Sequence, residues 1–85
     1  MDLKVVFDAA VKDSKNLSEK PGNETLLQLY SLYKQATEGD INVDAPSNPF
    51  DFVSRAKWEA WAALKSKSKE SAMKEYVELV NKLKS

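Results

Sequence analysis

The sequence predicts an all-α fold, a four-helix bundle with one long crossover between its second and third helices. Apolar residues recur at helical spacing in four separate stretches, and no stretch alternates apolar and polar residues as a strand would. Turn-forming residues separate these stretches. With 85 residues, the chain is expected to form a single domain over residues 1–85, with one modest core.

The first helix is predicted from Leu3 to Asn16. Asp2 is placed to cap it, because a short acidic side chain can accept a hydrogen bond from the free N–H groups of the first turn. The helix has to end before the turn at Lys20-Pro21-Gly22. The stripe expected to face the core consists of Leu3, Val6, Phe7, Ala10, Val11 and Leu17.

The second helix is predicted to begin with Asn23 as its N-cap and to stop at Gly39. Its apolar residues occupy more than one side of the helix, so we expect it to pack against two neighbours. These residues are Leu26, Leu27, Leu29, Tyr30, Leu32, Tyr33 and Ala36.

The crossover covers residues 40–51, where Pro46 and Pro49 prevent a helix from continuing. Its length allows the second and third helices to run in the same direction. Its apolar residues predict an ordered loop that lies on the body of the protein. They are Ile41, Val43 and Phe50, with Phe52 directly after them.

The third helix is predicted to start near Asp51 or Ser54 and to end at about Leu64. It is rich in alanine, so its two tryptophans are its main apolar mass. At least one of Trp58 and Trp61 is therefore expected to pack between helices.

The fourth helix is predicted to have Ser68 as its N-cap and Glu70 near its positive end. An apolar stripe then continues to the C-terminus of the chain. It consists of Ala72, Met73, Tyr76, Val77, Val80 and Leu83.

The composition excludes several functional classes. The chain has no cysteine and no histidine, which removes thiolate chemistry, the commonest general base and the commonest metal ligand. Thirteen basic and thirteen acidic residues balance, which argues against a nucleic-acid binder. No apolar run approaches the roughly 20 residues of a membrane span, and no signal-peptide pattern is present. A cytoplasmic protein without stable membrane insertion is expected.

Two tyrosines and a lysine share one side of the second helix. Tyr30 and Tyr33 are three residues apart, and Tyr30 and Lys34 are four apart. This side is aromatic and cationic at once. From the residues alone it fits either a core boundary with a solvated lysine, or a site for a flat, anionic and partly apolar ligand.

Several motifs occur together in one register. Residues 30–40 read YSLYKQATEGD, residues 56–61 read AKWEAW, and Pro46 lies between them. Ser68-Lys69-Glu70, Ala72-Met73 and Tyr76 continue the pattern. With these motifs the chain resembles the acyl-CoA-binding protein family, and the resemblance covers residues 7–83.

The resemblance implies a four-helix bundle of the acyl-CoA-binding protein type. A protein of this type would bind long-chain fatty acyl-CoA esters one to one, as an intracellular carrier and pool former. It would be a monomer without catalytic residues, metal or cofactor, and it would pass its ligand transiently to acyl-CoA-using enzymes.

The resemblance also assigns positions at the ligand's nucleotide end. By matched position, Tyr30, Lys34 and Lys57 would contact the ribose 3′-phosphate. Lys15 of the first helix would add positive charge nearby. Lysines suit such a site, because charge-assisted hydrogen bonds to phosphate are strong.

Four further positions follow in the same way. Tyr33 and Tyr76 would line the nucleotide and pantetheine region, where tyrosines supply a flat apolar wall. Leu26 and Leu27 would border the acyl groove.

The chain departs from the common family pattern at several points. Its crossover is about one residue longer around residues 46–50. Val53 replaces a frequent lysine, Ala45 a frequent arginine, and Val11 a smaller residue near the expected adenine. These departures bear on affinity and preferred chain length and not on the ligand class.

Two alternatives come from other functional classes. A helical adaptor would bury the two-sided second helix against a partner protein and bind no thioester. A small enzyme acting on CoA esters would need a positioned base, for which the sequence offers only carboxylates such as Glu38 and Asp40.

Overall fold

The computed structural model describes residues 2–84, which form four α-helices and no strand. The helices are α1 (Leu3–Ser14), α2 (Asn23–Glu38), α3 (Phe52–Ala62) and α4 (Lys69–Lys84). Gly39 and the crossover join α2 to α3. The predicted all-α bundle with a long crossover is confirmed.

Side-chain caps begin three of the helices. Backbone N–H groups donate to Asp2 at α1, to Asp51 at α3 and to Ser68 at α4, each over 3.1 Å. The predicted caps Asp2 and Ser68 are therefore confirmed, and Asp51 is the N-cap of α3, which begins at Phe52.

The predicted cap of α2 is wrong by one residue. Gly22 has the extended backbone of an N-cap, without a side-chain cap, and its carbonyl accepts from the N–H of Leu26 over 3.0 Å. Asn23 is therefore the first helical residue. At the other end Gly39 has a φ of 82°, which favours glycine and confirms this residue as the stop of α2.

Two helices end slightly earlier than predicted. α1 ends at Ser14 and α3 at Ala62, where the backbone changes within one or two residues to hydrogen bonds that reach three positions back. Lys15 N–H donates to the Lys12 carbonyl over 3.1 Å, and Leu64 N–H to the Trp61 carbonyl over 2.9 Å. These tight turns close both helices.

α4 packs against α1 and α2, and α2 also packs against α3. The rings of Phe7 and Tyr76 meet at a centroid distance of 5.2 Å, and Lys84 pairs with Asp13 over 2.9 Å. α1 and α4 therefore run in the same direction. The core that the three helices enclose consists of Phe7, Ala10, Leu29, Leu32, Ala36, Ala72, Tyr76 and Val80.

The second side of α2 faces α3, which confirms that α2 has two packing neighbours. Leu26 and Phe52 line one groove near the starts of the two helices. Near their ends, the Trp61 indole donates to the Gly39 carbonyl over 2.9 Å. α2 and α3 are therefore parallel, as the long crossover allows.

The crossover lies on the bundle as predicted, although most of the apolar side chains from which this was predicted are exposed. Val43 and Phe50 are exposed. The crossover is held instead by its backbone, since the Trp58 indole donates to the Val43 carbonyl over 2.8 Å. Trp61 is only 3% exposed, which confirms that one tryptophan packs between helices.

A buried amide joins the end of α2 to two connections. Gln35 is fully buried, and its Nε2 donates to the Lys67 carbonyl over 2.7 Å and to Asp40 over 2.9 Å. Asp40 also accepts from the N–H of Ser66 over 2.8 Å. We call Gln35, Asp40, Ser66 and Lys67 the Asp40 junction. Its hydrogen bonds, led by that from Ser66, lower the pKa of Asp40.

Asp40→Asn tests the junction, because it removes the charge and keeps the size of the side chain. With its pKa lowered in the folded state, Asp40 stabilises the fold above its unfolded pKa of about 3.9. That contribution is lost as pH falls through the folded pKa. The variant should therefore be less stable than the unmodified protein at neutral pH, and this difference in free energy of unfolding should close as pH falls below the unfolded pKa of about 3.9. Urea unfolding followed by circular dichroism measures it.

Asp44→Asn is the matched control, since it neutralises an exposed carboxylate on the same crossover. It should leave the free energy of unfolding nearly unchanged at neutral pH. A gap for Asp40→Asn that stays constant as pH falls would contradict a role for the charge.

Candidate functional site

An apolar groove runs between the first halves of α2 and α3. We call it the α2–α3 groove; its volume is about 390 Å³. Its residues are Asn23, Leu26, Leu27, Phe52, Val53, Ala56 and Lys57. Phe52 and Val53 are 72% and 66% exposed. The groove therefore offers open apolar surface with a single cation at its edge.

Lys57 connects this groove to Tyr30. Its Nζ lies 5.3 Å from the centroid of the Tyr30 ring, which is within the range of a cation–π contact. Lys57 itself is exposed and Tyr30 is half-buried. The contact with the Tyr30 ring therefore positions the ammonium group of Lys57, which stays accessible to a ligand.

Tyr30 also lines a second cavity, of about 240 Å³, between α2, the crossover and α3. We call it the polar pocket. Its residues are Tyr30, Lys34, Glu38, Val43, Asp44, Pro46, Ser54, Trp58 and Trp61. Because Tyr30 lines this pocket together with Lys34 and contacts Lys57, the structure brings Tyr30, Lys34 and Lys57 together, and their role as a common site stays a prediction.

Lys34 has two partners in the polar pocket. Its Nζ lies 5.0 Å from the centroid of the Trp61 ring and forms an ion pair with Glu38, one turn later in α2. The hydrogen bond to Glu38 is the main cause that raises the pKa of Lys34, and partial burial opposes it. Lys34 is therefore positively charged at neutral pH.

Tyr33 and Tyr76 belong to an aromatic cluster with Phe7. Tyr33 stacks on Phe7 at a centroid distance of 6.1 Å and lies 6.4 Å from Tyr76. Tyr33 is 40% exposed, whereas Tyr76 is 4% exposed. Tyr76 also donates to the Ser14 hydroxyl over 3.0 Å, and burial raises its pKa. Tyr33 presents the open ring, and Tyr76 supports it from the core.

Lys15, a further predicted site residue, directly follows the last residue of α1. It is the C-cap of α1, is exposed and lines neither the α2–α3 groove nor the polar pocket. Its neighbour Ser14 bonds to Tyr76. Lys15 is thus tied to the aromatic cluster through one residue, and its contribution of charge stays a prediction.

The α2–α3 groove includes Phe52, Val53 and Ala56, which were not predicted as site residues. Phe52, Val53, Ala56 and Lys57 have the spacing of one helix side, so the face could have been recognised from the sequence. Glu38 was considered only as a catalytic carboxylate. Its position four residues after Lys34 already indicated an ion pair.

Together these surfaces suit one amphipathic ligand. The α2–α3 groove can hold an apolar chain, and Lys57 and Lys34 can hold an anion beyond it. Among residues 2–84, no group of acidic side chains is arranged to hold a metal ion. In the same range, every helix is too short or too polar to cross a membrane.

The chain matches the family model described as acyl CoA binding protein over residues 4–80. Proteins named enoyl-CoA delta isomerase 2 from Rattus norvegicus and Homo sapiens are 52% and 49% identical to it, over 93% and 91% of the chain. These matches cover 20% and 19% of the two proteins. The chain therefore spans about a fifth of the length of the curated relatives that it matches.

Two crystal structures share the fold. Acyl-CoA-binding protein 2 of Oryza sativa has a TM-score of 0.90 and 40% identity, over 96% of this chain and 90% of that one. ACBP from Moniliophthora perniciosa has a TM-score of 0.88 and 38% identity, over 98% of this chain and 80% of that one. Matched along most of its length in both sequence and structure, the chain belongs to the acyl-CoA-binding protein family.

Proposed function

We propose that this domain binds one long-chain fatty acyl-CoA molecule. Its acyl chain would lie in the α2–α3 groove, and its ribose 3′-phosphate would lie between Lys34 and Lys57. The observation that carries the proposal is the double position of Lys57, which lines the apolar groove and also contacts Tyr30 of the polar pocket. An apolar chain and an anion can therefore belong to a single ligand.

The apolar half of the proposal rests on the groove's composition. Leu26, Leu27, Phe52 and Val53 offer hydrocarbon surface that is partly or largely exposed in the free protein. Covering such surface is favourable by roughly 25 cal/mol for each Å² removed from water. A fatty acyl chain supplies this cover without any polar group that would lose its hydrogen bonds.

The polar half rests on convergent donors. Lys34 and Lys57 provide ammonium groups and Tyr30 a phenol hydroxyl, and charge-assisted hydrogen bonds to phosphate are among the strong ones. The open ring of Tyr33 is available to an adenine. Tyr76 would act beneath it, and Lys15 would add its charge at the end of α1.

We further propose a role in carrying and pooling acyl-CoA, as a cytoplasmic monomer that delivers its ligand transiently to acyl-CoA-using enzymes. The lack of histidine and cysteine in the sequence supports a binding role without catalysis. The similarity to much longer proteins named as isomerases favours a second candidate. In that role a domain of this kind would hold acyl-CoA for a catalytic neighbour.

The ligand's two halves should each be needed for tight binding. Palmitoyl-CoA should bind one to one and far more tightly than CoA or palmitate, since either fragment loses its share of contacts while association still costs entropy. Isothermal titration calorimetry with the three ligands measures this. Equal affinity for palmitoyl-CoA and palmitate would contradict a head-group site.

The lysines should act through the ligand's 3′-phosphate. Lys34→Ala and Lys57→Ala should each weaken palmitoyl-CoA binding by roughly 1.5–3 kcal/mol, the range for hydrogen bonds to charged groups. Both should matter little for 3′-dephospho-palmitoyl-CoA. Tyr30→Phe should lose less, because it keeps the ring under Lys57 and gives up one neutral donor. Calorimetry with both ligands yields the coupling of each lysine to the phosphate.

Lys74→Ala is the control, as it removes an exposed lysine of α4 that lines neither the α2–α3 groove nor the polar pocket. The losses at Lys34 and Lys57 should also shrink as salt rises, because both lysines are partly exposed. Equal losses for the two ligands would place both lysines away from the phosphate.

Palmitoyl-CoA incubated with the pure protein should undergo no hydrolysis, isomerisation or transfer. The sequence has no histidine and no cysteine, which removes the commonest general base and the thiolate nucleophile, and binding would shield the thioester from water. Liquid chromatography with mass spectrometry compares the ligand with and without protein. Turnover that one carboxylate substitution abolishes would establish an enzyme instead.

A further inference from the structure

We propose that Glu38 sets the affinity and phosphate selectivity of the polar pocket, by holding Lys34 in an ion pair that a ligand phosphate has to displace. This inference rests on the proposed function, because it concerns the same phosphate. Glu38 would oppose phosphate binding, whereas Tyr30, Lys34 and Lys57 would favour it.

Among the charged groups that line the polar pocket, Glu38 is the one that most directly opposes the binding of a phosphate. Lys34 and Glu38 form an ion pair with side chains that are 25% and 41% exposed, and both line the pocket. Asp44 is a second carboxylate in the same lining. An incoming phosphate dianion therefore meets one cation that already has a partner, next to two negative charges.

The ion pair is of a kind that a dianion can displace. A lysine that precedes its acidic partner by four residues has the less favourable order in a helix. Glu38 is also the last residue of α2, where the helix dipole opposes a negative charge. Helix stability thus gives only a weak reason for a glutamate at this position.

Lys57 provides the contrast. It lies over the neutral ring of Tyr30, so a phosphate that reaches Lys57 adds a charge interaction. At Lys34 the phosphate only replaces the Glu38 carboxylate as the partner of the ammonium group. The two lysines should therefore contribute unequally, with Lys34 the weaker of the two for as long as Glu38 is present.

Glu38→Gln tests this directly, since it removes the charge and keeps the length of the side chain. We expect palmitoyl-CoA to bind about two- to fivefold more tightly, the upper part of the range for a partly exposed charge pair. Binding of 3′-dephospho-palmitoyl-CoA should stay unchanged. The gain should shrink when Lys34→Ala is combined with it, as calorimetry on the double variant would measure.

Glu24→Gln is the matched control. It removes the same charge from the first turn of the same helix, roughly 20 Å away along the axis and beyond the Debye length of about 10 Å at 0.1 M salt. Its affinity for palmitoyl-CoA should equal that of the unmodified domain. Circular dichroism would verify that both variants are folded.

Several results would overturn the inference. These are an unchanged or weaker affinity of Glu38→Gln for palmitoyl-CoA, an equal gain for the dephospho ligand, or the same gain from Glu24→Gln. Failure of the unmodified domain to bind palmitoyl-CoA would instead contradict the proposed function. The ion pair can then still be tested without ligand, because an NMR titration should show a lower pKa for Lys34 in Glu38→Gln, and an unchanged value would refute the pair.

Discussion

Two hydrogen bonds from the buried Gln35 amide join the C-terminal end of α2 to the crossover and to the connection between α3 and α4. With the bond from Trp61 to the Gly39 carbonyl, they fix where α3 lies against α2. The α2–α3 groove and the polar pocket exist only because these two helices are held parallel and close. Leaving the Gln35 Nε2 unpaired at this depth would be costly, so its two hydrogen bonds also favour one arrangement of the connections.

The candidate site places exposed apolar side chains beside positively charged ones, although folding usually buries apolar side chains away from charged groups. Phe52 and Val53 stay largely exposed, although burying them would stabilise the bundle. Lys34 and Lys57 lie over aromatic rings, where their ammonium groups keep contact with water. Such a surface is explained by an amphipathic ligand more readily than by the packing of the chain itself. The core between α1, α2 and α4 stabilises the fold, whereas the exposed side of α3 contributes little to its stability.

Much of this could be predicted from the residues. Helix positions followed from apolar spacing and from caps such as Asp2 and Ser68, because these signals are local. Tyr30, Lys34 and Lys57 were grouped by family resemblance, and the structure brings them together around one rim. Their contact with a phosphate stays a prediction. The spacing of Phe52 and Val53 places them on one side of α3, but only the tertiary structure shows that this side faces Leu26 and Leu27.

By itself the sequence determined the four helices, the exclusion of histidine and cysteine chemistry, and the two-sided character of α2, since each depends on residue type and spacing along one helix. The tertiary structure alone decided how the crossover is held, which tryptophan is buried and which tyrosine stays open. It also decided that Lys34 meets Trp61 and that Lys57 meets Tyr30. These features depend on distances between residues far apart in the chain, which are set when the packing of α2 against α3 and α4 fixes their relative positions.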